Sequence, residues 1–506
     1  MSELNDLEQV RADKIERLRA AGMAPYAVSA ERSHTAAQAI AAFETAGDER
    51  LEATVVGRIK SARHMGKTSF VHIEDGSGRI QLYFRVNDVG QERLDLLEQA
   101  FDLGDFIQAQ GFPFRTKTGE VTLHVEQFHM LAKAITPLPT PKVEQVDGQQ
   151  VVHDAFNDPE ARYRQRYVDL AVNPEVRQIF QLRSRIIRAA QNFLDERGFL
   201  EVETPILQPI YGGAASTPFT THHEQLHQDL YLRISFELYL KRLLVGNLER
   251  VYEIGRDFRN EGVSFKHNPE FTQLEFYMAY ADYQQMMELT ESLVAYVAEQ
   301  AIGSPVVEFG EQRIDLSPPW QRITLSDAIR QHAEIDLDEH PTAESLRQAM
   351  EAAGRQPSPG ASRGKLIDSL LSTFVEPKLI QPAFLLDYPR DISPLARAHR
   401  DNPQLVERFE GFAGGMELCN AFSELIDPFD QEQRFIELGR TYDPDDEERH
   451  PLDEDYLQAM RYGMPPNGGV GMGIDRLTML LTNKRSIREV ILFPHLRQRD
   501  DEPGQR

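Results

Sequence analysis

Val251-Tyr-Glu-Ile-Gly-Arg-Asp-Phe-Arg259 runs through Asn260-Glu-Gly-Val-Ser-Phe-Lys-His-Asn-Pro-Glu270 into Phe271-Thr-Gln-Leu-Glu-Phe-Tyr-Met-Ala-Tyr280. Both flanks alternate, and because successive strand side chains point to opposite faces, each is predicted to be a strand. In the second flank Thr272, Leu274, Phe276 and Met278 share the face expected to pack on a core. Phe271, Gln273, Glu275 and Tyr277 share the other. In the first flank Glu253, Asp257 and Arg259 line one side, and Tyr252, Ile254 and Phe258 the opposite one. The loop between them is too long for a tight hairpin and carries Glu261, Lys266 and His267. A solvated antiparallel face would account for scattered charge. Arginine, glutamate, histidine and aromatic rings gathered on one face, with a second such cluster downstream, point to a binding site.

That second cluster is Glu407-Arg-Phe-Glu-Gly-Phe-Ala-Gly-Gly-Met-Glu-Leu-Cys-Asn-Ala-Phe-Ser-Glu424. Glu410 and Glu417 stand on either side of a glycine pair. With strands on both flanks their carboxylates are expected to converge on one hard cation, as nucleotide-bound Mg²⁺ requires. Asn420, Phe422 and Glu424 alternate and share a face. Further on, Gly468-Gly-Val-Gly-Met-Gly-Ile-Asp-Arg476 is not a dinucleotide fingerprint, because Arg476 occupies the third glycine position. Gly469, Gly471 and Gly473 are expected to leave one strand face bare for a flat base. Asp475 is expected to cap the helix that follows, with Arg476 near its positive end. Gly66-Lys67-Thr68 is no phosphate loop either, since Ser61 stands where the upstream glycine is needed.

The 506 residues suffice for two or three domains. The N-terminus has no apolar leader, and no run is long enough to span a bilayer, so the cytoplasm is the expected compartment, with no membrane association. A single cysteine, Cys419, rules out an intrachain disulfide or a cysteine zinc site. The adjacent His222 and His223 lack partners at metal-ligand spacing. A formal charge of −25 argues against nucleic acid in bulk but not against a local basic patch. Lysine is scarce beside arginine, which fits either a high-salt cytoplasm or a GC-rich genome.

Taken in order, Leu7, Val10, Ile15 and Leu18 form a stripe that predicts a helix over 7–21, and the alanine-rich segment to about Glu49 says little. Short alternating runs then follow: Ala53–Ile59, Ser69–Glu74, Gly78–Phe84, Phe106–Gly111 and Val121–Val125. Five strands punctuated by glycine suit an OB-fold barrel, which binds single-stranded nucleic acid on one face. A proline-rich linker begins at Pro137, and a helix is predicted from about Val176 to Glu196, with Phe199–Pro205 as a strand after it. The fold class is α+β: an N-terminal OB barrel over 51–136, after an extension at 1–50 and before a linker at 137–160, then a large domain over 161–500. An insertion is read at about 317–385.

Phe258-Arg-Asn-Glu-Gly262 followed by His267-Asn-Pro-Glu-Phe-Thr272 resembles motif 2 of class II aminoacyl-tRNA synthetases, in the form of the lysyl-tRNA synthetase family, and the likeness runs on through Tyr277–Tyr283. The helix and strand around Gly198 look like motif 1, which would make the dimer interface, and Gly468–Arg476 looks like motif 3. Met65-Gly-Lys and Arg79-Ile-Gln-Leu-Tyr83 resemble the family's anticodon-binding domain. The resemblance implies an antiparallel catalytic sheet of about seven strands flanked by helices. It implies an aminoacyl-tRNA ligase that activates L-lysine with ATP to lysyl-adenylate and passes lysine to the 3′ end of tRNA(Lys), as a homodimer. About two or three Mg²⁺ ions would accompany the nucleotide.

Carried over by position, the resemblance makes Arg259 and Arg476 catalytic and gives ATP to Arg259, Glu261, His267, Asn268, Phe271, Glu417 and Arg476. Lysine falls to Gly213, Glu237, Arg259, Glu275, Tyr277, Asn420, Phe422 and Glu424, the metal to Glu410 and Glu417, and the anticodon to Arg63, Phe70 and Gln81. Gln127, Thr217, Ser235-Phe236 and Met416 depart from the usual residues at their positions. The substrate also follows from chemistry: a desolvated ammonium needs carboxylates, which Glu237 and Glu424 supply with Tyr277, while Gly213 and Glu275 take the α-amino group. An aspartyl or asparaginyl enzyme of the same plan would need a basic pocket where this chain has glutamates.

Overall fold

The computed structural model describes residues 4–45, 50–139, 142–146, 149–153, 156–214, 216–441 and 452–497. The chain divides into two compact units, Met1–Asn157 and Asp158–Arg506.

In the first unit, strands β1 (Ala53–Met65), β2 (Thr68–Glu74), β3 (Arg79–Arg85), β4 (Phe106–Arg115) and β5 (Val121–Ala132) close a barrel in the order β1-β2-β3-β5-β4. Alternation places Val55, Val71, Ile73, Leu82, Phe84, Ile107, Leu123 and Val125 inside, where they fill it. The strands outrun their predicted ends, because closure continues the ladders of β1, β4 and β5 through polar residues. Helix α1 (Asp6–Ala20) starts in a capping box of Asn5 and Glu8, but of its predicted stripe only Leu18 is buried, while Leu7 and Val10 stay exposed. The uninformative alanine segment is helix α2 (Ala36–Thr45), whose Ala36 and Ala39 join the barrel core. Its signal was weak because a methyl group contributes little to periodicity. Within the proline-rich stretch, Lys142–Val146 pairs with Gln149–His153 as a hairpin.

The second unit is built on one sheet. Helix α3 (Pro174–Asp195) leads to β6 (Leu200–Glu201), much shorter than the strand predicted there, since the chain after Glu201 leaves the sheet. Helix α4 (Glu237–Val245) precedes the long hairpin, β7 (Arg250–Phe258) and β8 (Glu270–Ala279). Helix α5 (Tyr283–Ile302) follows, and then β9 (Gln321–Thr324), helix α6 (Arg363–Leu370), β10 (Ala383–Pro389), β11 (Leu405–Ala413) and β12 (Met416–Ser423). Helix α7 (Glu454–Arg461), β13 (Asn467–Gly473) and helix α8 (Ile474–Leu481) complete it. The order is β9-β10-β11-β12-β13-β8-β7-β6.

The sheet thus has eight strands rather than about seven, and it is not wholly antiparallel: β6 on β7 and β9 on β10 are parallel pairs at the two edges. The segment read as an insertion contains β9 and the start of β10, so it closes one edge of the sheet and carries a core of its own around Leu325, Ile329, Leu346 and Leu370. On the other side of the sheet Leu274 and Phe276 of β8, Val470 and Met472 of β13, and Ile186 and Phe193 of α3 lie in one core. The alternation in β8 therefore does what the sequence suggests, burying one face and leaving the other for a cavity.

Candidate active site

Register explains why the cavity is where it is. Along β8, Gln273, Glu275 and Tyr277 each lie opposite a glycine of β13, at Gly473, Gly471 and Gly469. On the other side of β13, Asn420 and Phe422 lie opposite Gly471 and Gly469. Three alternate glycines therefore form a trough between two walls of large side chains. The bare face is partly claimed by these walls: a methyl group on Gly469 would strike the Tyr277 ring and Glu424 Oε1, and one on Gly471 would meet Gln273. The floor is thus shaped for side chains as well as for a flat base.

The cavity above this trough has a volume of about 370 Å³. It brings together Gly213, Glu237, Arg259, Glu261, His267, Asn268, Phe271, Glu275, Tyr277, Glu410, Glu417, Asn420, Phe422, Glu424 and Arg476, every site residue the sequence assigned to this unit. The other two charges on the Arg259 side of the first flank do not reach it. Glu253 binds buried Arg233 at 2.6 Å and accepts from Thr204, while Asp257 lies 3.4 Å from the same guanidinium. Burial and nearby Glu275 hold the Asp257 carboxyl well above the usual range. Asp475 does not cap its own helix. It accepts the Thr272 N–H at 2.7 Å and pairs with Arg183 at 2.6 Å, tying α8 to β8 and α3.

Acids dominate one end. Glu275 Oε1 accepts from Ser235 Oγ at 2.8 Å and Gln273 Nε2 at 2.9 Å, and Oε2 accepts from Tyr277 at 3.0 Å. Glu237 Oε1 and Glu424 Oε2 both accept from Lys241 Nζ, at 2.8 and 2.7 Å. Glu424 Oε1 is buried with no hydrogen-bond partner. Burial raises Glu275 to about 7 and Glu424 to about 8, with Glu237 adding to the shift in both. Gly213, at φ +90°, lies so close that a Cβ there would press on Ser235 and Glu237.

Cations dominate the other end. Arg259 lies 5.1 Å from the centre of the Phe271 ring, donates to the Ile234 carbonyl at 3.5 Å, and has no salt bridge among the described residues. Arg476 Nη1 donates to both the carbonyl and the carboxylate of Glu417, at 2.9 and 3.0 Å. His267 lies 3.4 Å from Arg476, and burial, then Arg476 and Lys266, lower its pKa, keeping the imidazole neutral. Asn268 is held by the backbone of Glu270 and His495, and Glu261 accepts from Ser216.

Glu410 and Glu417 share the cavity for a reason their spacing hides. Simple alternation would put Glu417 on the face opposite Asn420. A β-bulge at Gly411/Phe412 sets Glu417 opposite Phe412, which turns it to the side of Glu410 and Asn420. Glu410 pairs with Arg408 at 2.7 Å, and burial pushes it up to about 7. Among the described residues no group of three or more His, Cys, Asp or Glu side chains is arranged to hold a metal ion by itself. Two hard carboxylates suit a cation whose other ligands come from phosphate and water.

Lys241 and Arg408 carry no role in the sequence reading, while Gln273 stands there only as a member of the cavity face and Ser235 only as a departure from the usual residue. Only Lys241 gave a signal, its position four residues after Glu237. Cys419 is buried and its thiol is pushed up by burial, so it takes no part in the cavity. His222, on a hairpin, faces Asp229 at 2.7 Å.

In the first unit, Arg63 lies opposite Phe70 across β1 and β2, and Phe70 opposite Tyr83 across β2 and β3. Phe70 is half-buried, outside the barrel core, with its ring 4.9 Å from that of Tyr83. Phe114 and His124 extend the aromatic run at 5.8 and 5.4 Å from Tyr83. Gln81 donates to Glu120 and accepts from Thr122 on the same outer face.

Two family models match the chain: tRNA synthetases class II (D, K and N) over residues 158–497, and OB-fold nucleic acid binding domain over residues 53–131. The lysine–tRNA ligase of Roseiflexus castenholzii is 52% identical over 98% of this chain and 100% of its own length. That of Pelotomaculum thermopropionicum is 51% identical over 98% and 96%, and that of Moorella thermoacetica 51% over 98% and 99%.

Proposed function

The chain belongs to the class II tRNA synthetases, among the lysine–tRNA ligases, and from that premise we propose how its residues divide the work. The reaction is the ATP-dependent activation of lysine followed by its transfer to tRNA. The observation that carries our reading is the polarity of the cavity: a buried, unpartnered carboxylate oxygen on Glu424 at one end and the unpaired guanidinium of Arg259 at the other.

Lysine lies between them. Its ε-ammonium meets Glu424, Glu237 and Tyr277, and its α-amino group meets Glu275 and the backbone at Gly213. Asn420 and Phe422 shape the wall along its side chain. Its carboxylate faces Arg259 and attacks the α-phosphorus of ATP. A P–O bond forms to lysine as the bond to pyrophosphate breaks. Arg259 neutralises charge at the α-phosphate, and Arg476, with His267, holds the outer phosphates. Adenine stacks on Phe271, with Glu261 and Asn268 beside it. The attacking group belongs to the substrate, so no protein nucleophile is needed, and catalysis is positioning plus electrostatics. Mg²⁺, held by Glu410 and Glu417, supplies charge neutralisation at the triphosphate when bound, and the number of ions belongs to the same proposal. The tRNA 3′ hydroxyl then attacks the lysyl carbonyl and releases AMP.

The barrel reads the anticodon of tRNA(Lys), with Arg63 and Gln81 on base edges and Phe70 as a stacking platform. Domain limits of 51–136 for the barrel and 161–500 for the catalytic part go with this reading. Exposed Leu200, Ile206 and Leu207 near the β6 edge support a homodimer through α3 and β6. No helix of the described residues is long and apolar enough to cross a membrane, and the cytoplasm is the compartment proposed.

ATP–pyrophosphate exchange measured with each amino acid tests the assignment. Exchange with lysine alone is expected, and exchange driven by aspartate or asparagine instead would overturn it.

A further inference from the structure

Three carboxylates, on Glu237, Glu275 and Glu424, converge at the acidic end of the cavity. Behind two of them stands an ammonium with no exposed surface: Lys241 Nζ donates to Glu237 Oε1 at 2.8 Å and to Glu424 Oε2 at 2.7 Å. The cavity wall is made by the acids, and Lys241 reaches them from the far side. It is surrounded by Glu237 from its own helix, Glu424 from the end of β12, and Tyr456 of α7, whose ring centre is 5.6 Å from Nζ. One oxygen of Glu424 is thereby clamped, and the other, Oε1, is left buried without a partner.

We propose that Lys241 is a built-in countercharge that sets how many amines the pocket takes, a positioning residue for specificity that never touches substrate. This rests on the assignment of Glu237, Glu275 and Glu424 to lysine. Three buried acids less the one charge of Lys241 leave two, which match the α- and ε-ammonium groups, while Arg259 faces the carboxylate. Without Lys241 the third acid is uncompensated. Buried like charges then hold protons to higher pH, and the incoming ammonium must displace them. Burial alone would lower the Lys241 ammonium, but Glu237 and Glu424 hold it well above its usual range, so it stays charged throughout.

The test uses the full-length enzyme with Lys241→Gln, which keeps an amide donor but no charge, and Lys241→Met. Lysine-dependent pyrophosphate exchange is followed from pH 6.5 to 9.5, with KM for lysine and for ATP. For each unit by which the acids' midpoint rises above the assay pH, KM for lysine should increase about tenfold, falling back as pH rises, with KM for ATP unchanged. A Lys241→Gln enzyme with wild-type KM for lysine at pH 7, or one whose KM is raised equally at every pH, overturns the proposal. If neither variant folds, the wild type decides. Two open charges require cadaverine, with two amines, to inhibit competitively about tenfold more strongly than pentylamine, which has one, and equal inhibition would refute them. Glu424→Gln separates the premises. Near-normal exchange there would sink the site assignment itself, whereas lost exchange with an unaffected Lys241→Gln would sink only the countercharge.

Discussion

Replacing Glu424 by glutamine removes one charge and almost no volume. In the wild type, Oε2 accepts from Lys241 at 2.7 Å and Oε1 has no partner, although it is buried on the cavity wall. A glutamine must turn its carbonyl toward Lys241, because its amide would otherwise meet an ammonium donor to donor. The amide nitrogen then faces the substrate, where an acceptor is needed. The substrate ammonium keeps Glu237 and Tyr277 but loses the Glu424 carboxylate and meets a donor in its place, which for a buried ion pair broken on one side costs about 3–5 kcal/mol. That corresponds to a loss of roughly a hundred- to several-thousand-fold in kcat/KM for lysine. The assay is lysine-dependent pyrophosphate exchange, with KM for ATP and the thermal midpoint as controls. KM for ATP should stay near wild type, since the arginines lie at the other end, and the thermal midpoint reports the stability lost as buried Lys241 gives up one of its two carboxylates. A kcat/KM for lysine within a few-fold of wild type would refute the reasoning.

pH supplies a second prediction. Burial raises Glu275 to about 7 and Glu424 to about 8, so in the free enzyme each keeps its proton in mild acid, whereas an ammonium needs them ionised. KM for lysine should therefore fall as pH rises through 7 to 8 and climb below 7, with KM for ATP as the control. Gly469→Ala places a methyl against the Tyr277 ring and Glu424 Oε1. Overpacking of about 1–3 kcal/mol should lower the thermal midpoint, and the kinetics should show a raised KM for lysine. Phe70→Ala should weaken tRNA binding by about 1–3 kcal/mol while leaving pyrophosphate exchange untouched, a split seen by comparing aminoacylation with exchange. Alkylating agents under native conditions should leave exchange unchanged, because Cys419, the single thiol, is buried away from the cavity.

Sequence by itself determined which side chains share a face. Backbone sterics impose the two-residue period locally, so Leu274 and Phe276 had to oppose Glu275 and Tyr277 whatever lay beyond. The same local rule made the barrel strands and the alternate glycines legible, and the resemblance supplied the roles. Folding decided the partners. Glu253 and Asp257 obey the period yet turn to Arg233 instead of the cavity. Glu417 reaches the cavity only because a bulge breaks the alternation. Lys241 lies one helical turn from Glu237, which sequence shows, but 183 residues from Glu424, which it does not. The ionisation of these acids depends on burial, and burial belongs to the assembled sheet and helices rather than to any stretch of chain.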